Sequence, residues 1–218
     1  MTAAPARALP SLLGFTPDEV AGVVKELGEP AFRARQIVEW TFKKRATSIE
    51  AMSSLSKPLR QALAERFVTR SMTLAQVTGS ADTTRKLLLR LHDGRYVETV
   101  LIPANPALYG GRSDRLTLCV SSQVGCAYDC KFCASGLAGF TRNLTAAEIV
   151  EQIVQAEAHA ADRVDNLVFM GMGEPLANYS NLVRAIEILN AEWGIGIGAR
   201  HMTVSTSGLA PQIKKLAD

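Results

Sequence analysis

The sequence predicts an α/β protein in which a helical segment and a β-hairpin precede alternating strands and helices. Three observations carry that expectation. Apolar residues recur at three- and four-residue spacing over the first third; the period falls to two from about Met72; and beyond Cys133 short apolar runs alternate with helical stretches. With 47% hydrophobic and 21% charged residues among 218, the composition is that of a folded chain and not of a disordered one.

The first helix is announced by Thr16-Pro17-Asp18-Glu19, an N-cap, a first-turn proline and early acids; Val20, Val23, Val24 and Leu27 follow at helical spacing and Gly28 stops the run. A second helix is expected from about Ala31 to Lys44, with Phe32, Ile37, Trp40 and Thr41 inward, and a third from about Lys57 to Thr69, with Leu59, Leu63 and Phe67 on one face. Thr73 to Thr78, Arg85 to Leu91 and Tyr96 to Ile102 read as strands, the last two joined by the tight turn His92-Asp93-Gly94-Arg95. His92, beside that turn, is expected at the surface and not as a ligand. Pro103 to Asp114, with its prolines and Gly110-Gly111, reads as a loop, and Leu116 to Ser122 as a strand. Then come a helix from Thr145 to about His159, a strand at Asn166 to Met170, a helix at Asn178 to Asn190, a strand at His201 to Ser205 and a helix from Leu209. Such repeated units imply a parallel sheet with ligands at the carboxyl ends of its strands. The domain boundaries follow: 1–72 helical, 73–112 hairpin and loop linker, 113–218 the strand–helix core.

No apolar run approaches the roughly 20 residues of a membrane-spanning helix, and Met1 to Pro10 lacks the apolar core of a signal peptide, so a cytoplasmic protein without a membrane partner is expected. The net charge of +3 names no partner. From Ala31 to Arg70, however, nine Lys or Arg stand against three Glu. Such a segment suits nucleic-acid phosphates, and equally a solvated helix surface.

Four cysteines fall between positions 119 and 133, a pattern that favours metal or catalysis over disulfides. Cys126-x3-Cys130-x2-Cys133 follows a strand, and its short spacings let three thiolates converge on one inorganic group from a single loop. A 4Fe–4S cluster fully held by protein takes four thiolates, so three leave one iron open. The alternatives are a zinc site that recruits Cys119, or unremarkable buried thiols. Gly171-Met172-Gly173-Glu174-Pro175 follows the next apolar strand; glycines admit a ligand close to the backbone and Glu174 can accept from an ammonium. Alone this signal is weak. Val204-Ser205-Thr206-Ser207-Gly208 ends the strand after; its hydroxyls could meet a ligand there, but by itself the run reads most simply as a helix N-cap. Cys119, taken alone, is a small buried hydrophobe.

The cysteine run, with Phe132 before its last Cys, resembles the radical S-adenosylmethionine (SAM) superfamily. Together with Val97-Glu98-Thr99-Val100, Thr117 to Cys126, Gly139 to Leu144, Gly171 to Leu176, Ser205 to Gly208 and the N-terminal Gly28 to Gln36, it resembles the RlmN/Cfr family of RNA adenine methyltransferases from about Leu12 to the end. The resemblance implies an incomplete radical SAM (β/α) barrel preceded by a helical accessory domain that contacts RNA. It implies that Cys126, Cys130 and Cys133 hold one 4Fe–4S cluster, that Gly173, Glu174 and Ser205 contact SAM, that Glu98 accepts a proton and that Cys119 resolves an enzyme–RNA adduct. It also implies methylation of adenine carbon 2 in 23S rRNA and certain tRNAs, a flavodoxin-type electron donor and a monomer. A Cfr-type carbon-8 activity and a non-catalytic cluster- or RNA-binding remnant are the alternatives. Two departures stand out. The family's C-terminal methyl-carrying cysteine has no counterpart here, and the chain holds about three strand–helix units where the family's barrel has six, so a truncated chain unable to complete methylation is expected. Asn105 to Gly111 reads as an insertion between Glu98 and Cys119.

Overall fold

The computed structural model describes residues 9–80, 84–104, 115–128, 130–137 and 139–217. Helix α1 (Pro17–Glu26) starts in a full capping box. The Thr16 hydroxyl accepts the Glu19 N–H at 3.3 Å and the Glu19 carboxylate accepts the Thr16 N–H at 2.8 Å. Its Val20 and Val24 are buried, and the chain leaves through Gly28 at φ 69°.

Helix α2 (Phe32–Val38) runs on into a π-turn at Glu39–Lys43. Ala34, Ile37, Val38 and Thr41 form its inward stripe. Phe32 does not join it: five residues before Ile37 it lies roughly 140° around the helix, is 53% exposed and carries the Arg33 guanidinium over its ring. Trp40 is half-buried, with its indole N–H donating to Ser54 Oγ at 2.7 Å. Helix α3 (Lys57–Ala64) stops short of the expected Thr69. Val68 donates its N–H to the Pro10 carbonyl and accepts from the Leu12 N–H, so the chain beyond Ala64 is drawn away to pair with the N-terminal segment.

Strands β1 (Thr73–Thr78), β2 (Arg85–Arg90), β3 (Tyr96–Pro103) and β4 (Leu116–Cys119) are antiparallel neighbours in that order. Strand β4 then pairs in parallel with β7 (Asn166–Phe169), and β7 with β8 (Met202–Val204). The hairpin and the parallel strands are thus one six-stranded sheet. Residues 105–111, read as an insertion, lie outside the described residues.

The strand expected at Leu116 to Ser122 ends at Cys119. Past it, Gln152 replaces a strand partner: its Oε1 accepts the Ser121 N–H at 2.8 Å and its Nε2 donates to the Ser121 carbonyl at 2.9 Å. The chain bends there into β5 (Gln123–Gly125), which pairs with β6 (Phe140–Asn143) in a separate two-stranded sheet. The sequence reading did not foresee these short strands, because three or four residues show no period.

Helices α4 (Ala146–Ala160) and α5 (Tyr179–Asn190) pack into the core beside the sheet. Leu87, Leu89, Leu101, Leu118, Leu167 and Phe169 from the strands, with Ile149, Ile153, Leu182 and Ile188 from the helices, belong to the buried core. Helix α6 (Ala210–Ala217) ends the described chain, with Ile213 and Leu216 exposed. The N-terminal helices reach the outer helices through Arg45 to Glu157 (2.6 Å), Lys43 to the Gly194 carbonyl (3.1 Å) and Arg184 to Glu19.

Candidate functional site

The Cys126–Cys133 run lies between β5 and β6, so the loop leaves and returns through one small hairpin. Its neck is tight. Gly125 has φ 73°, and a Cβ there would fall 1.8 Å from the Gly139 carbonyl oxygen, which already accepts the Cys126 N–H at 3.2 Å. Within the loop, the Cys133 N–H donates to the Cys130 carbonyl at 2.9 Å and the Tyr128 N–H reaches Cys126 Sγ at 3.4 Å.

Cys126, Cys130 and Cys133 all line one cleft of about 270 Å³, whose other walls include Phe132, Gly171, Gly173, Glu174 and Ser205. The cleft sits where β7 and β8 end, at their carboxyl ends. Phe132 itself is 94% exposed. The Cys133 thiol is held below its ordinary range by the Ser135 backbone N–H, then by the Ser135 side chain and the Gly136 N–H. Donors aimed at a sulfur favour the thiolate, which is the form that binds a metal.

Cys119 stands apart from this lining. Burial raises its thiol, partly offset by a hydrogen bond from the Met170 backbone. Among the described residues, no three of His, Cys, Asp and Glu converge as they would on a single metal ion. Three soft donors spread around one cleft, one of them biased toward the thiolate, fit a polynuclear iron–sulfur group better than a single four-ligand zinc ion.

The Gly171–Pro175 turn is pressed against the bend that follows β4. A Cβ at Gly171 would lie 2.7 Å from Ser121 Oγ, and one at Gly173, where φ is 100°, would lie 2.5 Å from the Gln123 side chain. Ser121 Oγ ties the turn down, accepting the Met172 N–H at 2.9 Å while donating to the Glu98 carbonyl at 2.6 Å. Glu174 is 4% exposed. Its N–H donates to Gln123 Oε1 (2.9 Å), its Oε1 accepts from the Leu176 N–H (3.0 Å), and its Oε2 accepts both the N–H (2.7 Å) and the hydroxyl (2.9 Å) of Ser207. Ser205 lines the cleft but does not cap α6, which begins at Ala210.

Strand register places the two remaining candidates together. Val100 opposes Cys119, and Glu98, two residues away on β3, points to the same face as Val100. Glu98 and Cys119 therefore share the face turned away from the helices, although neither lines the cleft. Glu98 carries an ion pair with Lys86 at 2.8 Å.

Four contributors, all inside stretches already singled out, carried no positioning role in the sequence reading. Ser207 and Gln123 hold Glu174, and Asn143 holds Gln123 through a 2.8 Å bond from its Nε2. Arg142, on β6, donates to Asp93 of the hairpin turn and to both oxygens of buried Glu148 on α4, each at 2.8 Å. Arg142 lies inside the quoted Gly139 to Leu144 stretch, which marked the place without giving it a role.

Of the cations expected to meet RNA, Arg33 bonds Gln36 and the Ser54 carbonyl, Lys43 bonds the Gly194 carbonyl and Lys44 pairs with Glu39 beside Trp40. The basic segment is thus partly spent on internal contacts, and no single basic face was readable from its count.

Residues 11–69 match the ribosomal RNA large subunit methyltransferase N-terminal domain, and residues 120–218 match the radical SAM superfamily. The chain belongs to the RlmN family of radical SAM proteins. A relative in Akkermansia muciniphila, described as a probable dual-specificity RNA methyltransferase RlmN, is 51% identical over 96% of this chain. Another in Opitutus terrae, with the same description numbered 3, is 52% identical over 97%. The chain spans only 58% and 59% of those two family members. The crystal structure of a radical SAM methyltransferase from Sphaerobacter thermophilus superposes with a TM-score of 0.86 at 43% identity, covering 95% of this chain and 60% of that one. The mixed α/β architecture with its parallel strands is that of the radical SAM fold.

Proposed function

We propose that this chain is the SAM- and cluster-binding part of a methyltransferase that acts on carbon 2 of an adenine in 23S rRNA and in certain tRNAs. The observation that carries the reading is the single cleft shared by Cys126, Cys130, Cys133, Gly173, Glu174 and Ser205. Cys126, Cys130 and Cys133 would hold a 4Fe–4S cluster as thiolates. When bound, the cluster supplies the electron that cleaves SAM to a 5′-deoxyadenosyl radical.

This chain's own residues do the rest. Glu174 accepts from the SAM ammonium, and Gly173 keeps the wall thin enough for SAM to approach. Ser205 offers a hydroxyl at the end of β8. Beside the cleft, Glu98 takes a proton from the modified adenine and Cys119 resolves the enzyme–RNA adduct as a thiolate. The raised Cys119 pKa suits a thiol kept protonated until its step. All four cysteines lie between positions 119 and 133, so the methyl-carrying cysteine of this chemistry is not among them, and these 218 residues alone do not complete methylation. Exposed cations of the helical segment, Arg35 among them, meet RNA phosphates in the cytoplasm. The protein acts as a monomer supplied by a flavodoxin-type donor. The helices described include none long and apolar enough to cross a membrane.

Nucleoside mass spectrometry of RNA from cells with and without the gene tests the reading. 2-Methyladenosine present only with the gene is the expected outcome. An 8-methyl product would transfer the assignment to Cfr-type chemistry, and no change would overturn the methyltransferase reading.

A further inference from the structure

The Ser207 side chain has no part in the reading above, yet its hydroxyl donates to the Glu174 carboxylate at 2.9 Å. Glu174 is 4% exposed, so its carboxylate has little water to satisfy it and depends on protein donors. Two of its three donors among the described residues come from one residue, the N–H and Oγ of Ser207, at 2.7 and 2.9 Å, and both go to Oε2. The third, the Leu176 N–H, goes to Oε1 at 3.0 Å. An ionised carboxylate offers about four acceptor sites. Both sites of Oε2 are therefore filled, and the one left open is on Oε1.

We infer that Ser207 is the positioning residue for Glu174: it saturates Oε2, fixes the carboxylate rotamer and leaves one Oε1 site to receive an ammonium group in the cleft. The inference rests on the reading of Glu174 as the acceptor for the SAM ammonium. Ser207 and Glu174 follow different parallel strands, β8 and β7, so the bond also joins the ends of neighbouring strands across the cleft. Gln123 fixes the other end of the residue by accepting the Glu174 N–H, and is itself anchored to Asn143 beside the cysteine loop. Ser207 is thus the only side-chain donor to the Glu174 carboxylate among the described residues; Leu176 contributes backbone alone.

The test measures dissociation constants on the full chain with its cluster reconstituted anaerobically, for SAM and for a SAM analogue lacking the α-amino group, by equilibrium dialysis. Cluster absorbance is recorded for every variant. Ser207→Ala should weaken SAM about ten-fold, the effect of losing one hydrogen bond to a charged group. It should change binding of the deaminated analogue by less than about two-fold, because Ser207 acts through the ammonium contact. Ser207→Thr, which keeps the hydroxyl, should restore most of the affinity. Equal weakening of both ligands, or no weakening of SAM, overturns the inference. Glu174→Gln separates the two layers. If it abolishes the preference for SAM over the analogue while Ser207→Ala does not reduce it, only the Ser207 role fails. If Glu174→Gln preserves that preference, the reading of Glu174 fails with it.

Discussion

The Cys133 thiol receives N–H groups from Ser135 and Gly136, whereas Cys119 sits in a strand under burial that raises its pKa. Both are cysteines of one chain within fifteen positions, and their reactivity diverges through surroundings alone. In cluster-free protein, iodoacetamide should label Cys133 well before Cys119 at neutral pH, and Cys133 labelling should level off at the lower pH. Peptide mass spectrometry of a labelling time course reads both; equal rates would remove the assigned difference in thiol environment. The positions of these residues were legible because spacing alone groups cysteines. Their protonation was not, since it depends on backbone donors that a sequence does not display. Ser207 escaped for a related reason: a serine in a Ser-Thr-Ser-Gly turn looks like a cap until its partner, 33 residues earlier, is seen.

Among the elements, the turn between β2 and β3 is fastened to β6 and to the start of α4 by Arg142. Burial pushes the Asp93 carboxyl up, but hydrogen bonds from Arg142 and from the Arg95 backbone hold it at about 2. The buried Glu148 contacts are the main reason the Arg142 guanidinium is raised beyond its already high value. A carboxylate whose pKa is lower in the folded state stabilises above its ordinary value of 3.8, and that contribution is lost as pH falls through about 2. The stability gap between the native chain and Asp93→Asn, measured by urea unfolding, should therefore narrow from about pH 4 to pH 2. A gap independent of pH would show that the lock is not electrostatic. Helix starts were well read here, because Thr16 and Thr145 cap their helices through local contacts that the sequence spells out. Helix α3 was overestimated because a long-range partner, the segment before Leu12, claims Val68.

Across the whole molecule, Glu151 of α4 marks where the helical part passes into the sheet. It is fully buried and accepts from the N–H and hydroxyl of Ser71 and from the N–H of Met72. Burial lowers the nearby Arg70 guanidinium and the Glu151 charge offsets that effect. Glu151→Ala should reduce stability by about 3 kcal/mol and open the chain near Ser71 to limited proteolysis, releasing the N-terminal helices. Unchanged urea midpoints and an unchanged digestion pattern would show that the other contacts, such as Arg45 with Glu157, suffice to hold the two parts. The sequence displayed both parts plainly through their change of period. It did not display that the hairpin and the parallel strands form one sheet, because the pairing of β3 with β4 is a long-range contact that local periodicity does not reveal.

The glycine neck of the cysteine loop has a bearing on how that loop is carried. The loop is sealed at Gly125 and Gly139, so its ends stay fixed while the stretch between them changes. The ribbon that carries it is a sheet of its own, tied to the rest of the fold through Gln123, which accepts the Glu174 N–H, and through Arg142, which meets Asp93. The cysteine loop is thereby carried on a mounting that is paired separately from the main sheet.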